Sequence, residues 1–145
     1  INGGVGNYLS ATTYVGKIFF NNLKIVAFCL IFSLFFGAGA IYILTLNASV
    51  IGTAVGMFMK ESAHGVFTGI SLGLLRYLTH GIFEIMAYFI AGLAGGIISI
   101  AIIKHDFKGK TMKVIRQDAT DLVLLALLFL FLGALVEVYV TPLYY

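Results

Sequence analysis

Arg76, His80 and Glu84 stand four residues apart in an otherwise apolar stretch. A helix of about 3.6 residues per turn stacks such a series on one face. Ionisable groups inside a membrane segment cost roughly 2.5–3.5 kcal/mol each, so each needs a reason. Two reasons stand. The His80 and Glu84 side chains bond to each other and to backbone and pin two helices, or they meet a partner, an ion or a substrate. Glu137, within Val136-Glu137-Val138-Tyr139-Val140-Thr141-Pro142, adds a carboxylate one to two turns from a helix end, within reach of water or of the Arg76 face. Asn47 closes an apolar run, where it caps orphan backbone groups.

This set falls short of what a catalyst or a metal site needs. Zinc takes three or four ligands, and His64, His80, Glu84 and Glu137 are the only candidates; one pair four apart does not make a site. The one Gly-x-Ser-x-Gly spacing, Gly69-Ile70-Ser71-Leu72-Gly73, lies among the small residues of an apolar helical run and offers no strand-to-helix turn to present a nucleophile. The expectation is a protein that is not an enzyme and holds no cofactor and no metal. Cys29 is the single cysteine and lies in an apolar run, so it forms no intrachain disulfide and a buried, inert thiol is expected. A net charge of +3 is too small and too scattered for a nucleic-acid surface.

The elements that must position these residues are membrane helices. Of the 145 residues 61% are hydrophobic and 10% charged, where a soluble domain has roughly 45–50% and about 25%. Mean hydropathy is +1.05. The expected fold is all-α and a single domain, residues 1–145. It is a polytopic transmembrane helical bundle of three long spanning helices, a short-helix hairpin and an N-terminal interfacial helix.

Residues 1–24 read as a loose start and an interfacial helix, Val15–Asn22, with Phe19 and Phe20 in the headgroup boundary and Lys17 and Lys24 toward phosphates. The long helices are read at 25–46, 81–103 and 119–140. The first is about 33 Å long as a helix, against a hydrocarbon core of ~30 Å. Thr120 and Asp121 suit the start of the third, and Pro142 suits its stop. Residues 48–78 read as two shorter helices, Ala48–Met59 and Gly65–Leu78. Each carries small residues four apart: Ala48, Gly52 and Gly56, then Gly65, Gly69 and Gly73. Gly92 and Gly96 repeat the spacing in the second long helix. Small residues let two backbones approach closely, which is how helices pack in lipid. If the helix runs unbroken through Thr79–Gly81, the three ionisable residues share its face. If it breaks there, Thr79 is an N-cap and Glu84 meets the positive end of a helix dipole.

Lys104, Lys108, Lys110, Lys113 and Arg116 make the loop at 104–118 cytoplasmic by the excess of basic residues on that side. The third helix then exits outward and His80 falls toward the outside. Lys17 and Lys24 put the start of the first helix inside and Asn47 outside. On this arithmetic the hairpin leaves and returns on the outer side, crossing fully or only dipping, with the crossing favoured.

A longer pattern ties these residues together: Phe20-Asn21-Asn22 before the first long helix, Gly37-x-Gly39 within it, then Asn47 and Gly52. It continues with His80-Gly81-x-x-Glu84, the small residues Ala91–Gly96, and Glu137 followed by Thr141-Pro142. Over roughly residues 19–142 the chain resembles the stage II sporulation protein M family, small polytopic membrane proteins of bacteria and archaea. It has Thr79 where the family usually has Pro, and Asn47-Ala48 where the family usually has Asn-Gly. Members commonly carry another hydrophobic helix ahead of the Asn-Asn element, so an incomplete amino end is expected.

The resemblance implies a non-enzymatic membrane component. The sporulation member works within a complex with peptidoglycan-degrading proteins, which it recruits and holds at the septal membrane. A scaffold or complex subunit of the cell membrane is therefore expected, multi-pass, binding and positioning other membrane or envelope proteins. It would be a homo-oligomer or part of a larger assembly, with the lipid bilayer as its surroundings and no nucleic acid as partner. The competing expectation is a small transporter or channel-like protein with a polar intramembrane site at His80 and Glu84.

Overall fold

The computed structural model describes residues 3–36, 66–104 and 110–144, and residues 41, 44, 45, 48, 49, 52, 53, 56, 57 and 60 between the first two stretches. Among the described residues all but Lys104 are helical, and none is in a strand. Helix α1 is Gly3–Phe36, α2 is Val66–Ile103 and α3 is Lys110–Leu135. The chain of α3 runs on through a π turn, Val136–Val140, into a 3-10 turn, Thr141–Tyr144. Ser10–Phe35, Leu78–Ile103 and Met112–Val140 are each long and apolar enough to cross a membrane. A helix bonds all its backbone groups within itself, which lipid demands. The one proline, Pro142, lies beyond the last span and breaks none of them.

Three boundaries differ from the sequence reading. The loose start, the interfacial helix and the span at 25–46 are replaced by one helix from Gly3 to Phe36, with its span about fifteen residues earlier. Lys17 and Lys24 are exposed and reach out along their apolar stems, so they interrupt hydropathy without interrupting the helix. The arm Gly65–Leu78 is not a separate short helix. From Val66 it is the first part of α2, which continues through Thr79–Gly81, so Thr79 is no N-cap. One glycine inside a helix costs about 1 kcal/mol, too little to break it. Finally, Lys110, Lys113 and Arg116 lie on α3 rather than in a loop, and α3 starts well before Ala119. Thr120 donates its hydroxyl to the Arg116 carbonyl at 2.8 Å, an interior helix bond and not a cap. Gly65 and Asn47 lie outside the described residues, while Gly69 and Gly73 are on α2.

Cross-helix contacts fix the directions. Asn22 meets Glu84 and Tyr88, and Ser33 meets Gly92, so α1 and α2 run parallel. Gly133 packs on His80 and Glu84, and Phe129 packs on Phe83 with ring centroids 6.3 Å apart, so α3 starts at the far end and runs antiparallel to α2. Parallel α1 and α2 require the chain between Phe36 and Val66 to return to the face where α1 began. Within it, the hydroxyls of Thr45, Ser49 and Thr53 each donate to the carbonyl four residues earlier at 2.9 Å. Placing Lys17 and His80 on opposite faces is thereby corrected: both line one cleft.

The interior is built from small residues. Val26, Cys29, Ala87, Tyr88, Ala91, Ala126 and Leu130 form the core. Cys29 is buried, as its apolar setting predicts. Large side chains such as Phe20, Phe35 and Ile103 face outward. Small inside and large outside is the arrangement for helices solvated by lipid, where close backbone approach replaces the hydrophobic drive. Gly92 and Gly96 face α1. Ser33 donates to the Gly92 carbonyl at 2.6 Å, and a Cβ on Gly96 would sit 3.6 Å from the Ser33 hydroxyl. The tightest approach is one residue away: a Cβ on Gly95 would lie 2.4 Å from the Leu30 carbonyl oxygen. We expect Ser33→Ala to lower stability by about 1 kcal/mol, read by reversible unfolding in mixed micelles, because interhelical bonds in membranes contribute roughly 0.6–1.7 kcal/mol. A change under about 0.2 kcal/mol would show that the bond adds nothing.

Candidate functional site

α1, α2 and the π turn together enclose a polar cleft of about 320 Å³. α1 contributes Lys17, Ile18, Asn21 and Asn22; α2 contributes His80 and Glu84; the π turn contributes Glu137. The continuous helix through Thr79–Gly81 is what stacks His80 over Glu84 on the face toward α1 and α3. Gly133 lets the end of α3 close on that face, since a Cβ there would already meet Phe83 at 3.3 Å and Glu84 at 3.5 Å.

At the inner wall an amide bridges two helices. Tyr88 donates its hydroxyl to Asn22 Oδ1 at 3.0 Å, and Asn22 Nδ2 donates to Glu84 Oε1. Asn22 is 8% exposed and Tyr88 fully buried. The bridge uses both ends of the amide, one as donor and one as acceptor, which fixes how the side chain points. Among the described residues no buried side-chain nitrogen or oxygen lacks a partner.

At the α3 side, the π turn replaces the usual bond ladder. The Thr141 N–H bonds to the Val136 carbonyl, five residues back. The wider turn lets Glu137 and Thr141 both face α2. Thr141 Oγ1 lies 3.2 Å from the Val136 carbonyl and 3.4 Å from His80 Nδ1. With the hydroxyl proton on the carbonyl, Oγ1 accepts from the imidazole.

Three of the residues singled out from sequence therefore converge: His80, Glu84 and Glu137. Arg76 is on α2 one turn before His80, and its side chain lies outside the described residues. Glu84 is held across the interface by Asn22, and His80 reaches across to Thr141. Tyr88 and Gly133 were not singled out from sequence, and Asn22 and Gly95 entered only as members of the family pattern, with no role given to either. Tyr88 was available as the next member of the series 76, 80, 84. Asn22 was available as an amide inside an apolar helix, had the span been placed at Ser10–Phe35. The cleft offers an imidazole, two carboxylates, two amides and a lysine. Among the described residues no group of three or more His, Cys, Asp or Glu side chains is arranged to hold a metal ion.

Comparison with known proteins points one way. The family model described as "Stage II sporulation protein M" matches residues 3–142. The chain is similar to an uncharacterized protein of Methanocaldococcus jannaschii, 30% identical over 129 residues that cover 87% of this chain and 70% of the archaeal one. No solved structure matches.

Proposed function

The chain belongs to the stage II sporulation protein M family, and from that premise we propose that it is a non-enzymatic membrane scaffold that binds and positions other membrane or envelope proteins. The observation that carries this reading is a helical face that meets no occupant among the described residues. Ala48, Gly52 and Gly56 are exposed, and nothing lies within 4 Å of where a Cβ would stand on either glycine. Small residues facing lipid gain nothing there, whereas they let a second helix come close. Meanwhile Asn22, Glu84 and Tyr88 are engaged in holding the bundle together. The occupant is a helix of another envelope protein or of a second copy of this chain.

The protein is read as multi-pass in the cell membrane. The basic end of the bundle, Lys104 to Arg116, is cytoplasmic by the same excess of positive charge, and the polar cleft at the other end opens outward.

The test is a double substitution on the open face. Gly52→Leu with Gly56→Leu is expected to reduce recovery of a cross-linked partner from native membranes at least tenfold, with Tm unchanged within about 1 °C. Undiminished cross-linking overturns the reading. The competing reading, a small transporter or channel-like protein, rests on the polar cleft. It would take over if His80→Ala and Glu84→Ala left a folded protein that had lost a measurable flux.

A further inference from the structure

The polar cleft holds charges of both signs that do not neutralise each other. Glu137 is half-buried, lines the cleft and makes no hydrogen bond or ion pair among the described residues. Glu84 lines the same cleft, where two like charges repel. Lys17 stands at the rim with its Nζ 5.8 Å above the Tyr14 ring, and it pairs with neither carboxylate among the described residues. Asn22 occupies one Glu84 oxygen and leaves the other with lone pairs to give.

We propose that this cleft binds a small zwitterion, with an ammonium group between Glu84 and Glu137 and an anionic group at Lys17. An ammonium between two carboxylates removes their repulsion and supplies N–H donors to both. The anionic end of the ligand then meets Lys17, the one lysine or arginine lining the cleft among the described residues.

Depth and size agree with a lipid headgroup. Glu84 is six residues inside the start of its span at Leu78, and Glu137 is three residues from the end of its span at Val140. At 1.5 Å per residue these are about 9 Å and about 4.5 Å from the ends of the apolar helices. The two spans, 26 and 29 residues, are about 39 and about 43 Å long and overhang a ~30 Å hydrocarbon core by about 5–7 Å at each end, which sets Glu137 in the polar layer and Glu84 just beneath it. The cleft, about 320 Å³, is the space about ten waters take in the liquid. Phosphoethanolamine, with eight non-hydrogen atoms, fits it. Choline is disfavoured, because a quaternary ammonium donates no hydrogen bond and, among the described residues, no aromatic ring lines the cleft to receive it.

The shared chemistry has two sources, an ethanolamine phospholipid or a free zwitterion such as phosphoethanolamine, and the test separates them. The full chain, purified in mild detergent, is examined by native mass spectrometry. Equal amounts of phosphatidylethanolamine, phosphatidylcholine and phosphatidylglycerol with matched acyl chains are offered, and soluble phosphoethanolamine is offered separately. Retention of phosphatidylethanolamine at least fivefold above the other two, lost in Glu137→Gln and in Lys17→Gln, supports the lipid source. Retention of soluble phosphoethanolamine with the same sensitivity, and no lipid preference, supports the free source. Equal retention of all three lipids without phosphoethanolamine binding overturns the proposal, as does retention unchanged in both variants. Neither Glu137 nor Lys17 bonds to another helix among the described residues, so both variants keep the fold. Circular dichroism and Tm check this, and should one unfold, the other decides. The proposal stands or falls independently of the partner-binding reading.

Discussion

Gly95→Val lowers the stability of the bundle by about 3 kcal/mol, the upper end of what overpacking an interior costs. A Cβ at this position would lie 2.4 Å from the Leu30 carbonyl oxygen and 3.1 Å from both the Leu34 nitrogen and the Ser33 Cβ. Two of those three atoms are backbone, so no rotamer change relieves the overlap and α1 must move away from α2. That movement also breaks the Ser33–Gly92 bond one turn away. The measurement is reversible unfolding in mixed micelles. Gly52→Val is the control, since its Cβ would meet nothing within 4 Å, and it should stay within about 0.5 kcal/mol of the parent. If Gly95→Val behaves like that control, α1 does not approach α2 as described.

Asn22→Ala comes second, at about 2–3 kcal/mol. The substitution removes the amide that accepts from Tyr88 and donates to Glu84, and losing the partner of a buried polar group costs roughly 1–3 kcal/mol. Tyr88→Phe removes only the bond to Asn22 Oδ1 and is expected to cost about 1 kcal/mol. In the double variant the two effects should fall short of additivity by at least about 0.5 kcal/mol, the mark of groups that share a bond. Additivity within about 0.2 kcal/mol would show that Tyr88 and Asn22 act separately.

The helical class and the membrane setting were legible in composition and spacing, and so was the convergence of His80 and Glu84, because spacing of four survives in any unbroken helix. The extent of α1 was not. Asn21, Asn22, Lys17 and Lys24 lower the local hydropathy, and a reading along the chain registers only that loss. What offsets the burial of Asn22 is a carboxylate on another helix, which no local window contains. The identity of the closest-packed glycine was hidden for a related reason. Gly92 and Gly96 repeat at four and Gly95 does not, yet the rotation of α2 about its own axis decides which glycine meets the Leu30 carbonyl. The direction of α1 against α2 also escaped, since counting basic residues treated Lys17 and Lys24 as markers of one face when Lys17 in fact lines the cleft with His80.

The amide bridge between Asn22 and Glu84 joins residues 62 apart in sequence. Chains are synthesised at roughly 5–20 residues per second, so roughly 3–12 s separate the emergence of these two residues. Throughout that interval α1 holds a side-chain amide whose partner has not yet been made. The α1–α2 pair can therefore close no sooner than translation reaches Glu84 and Tyr88, so the pace of synthesis enters the timing of its assembly alongside the motion of the helices.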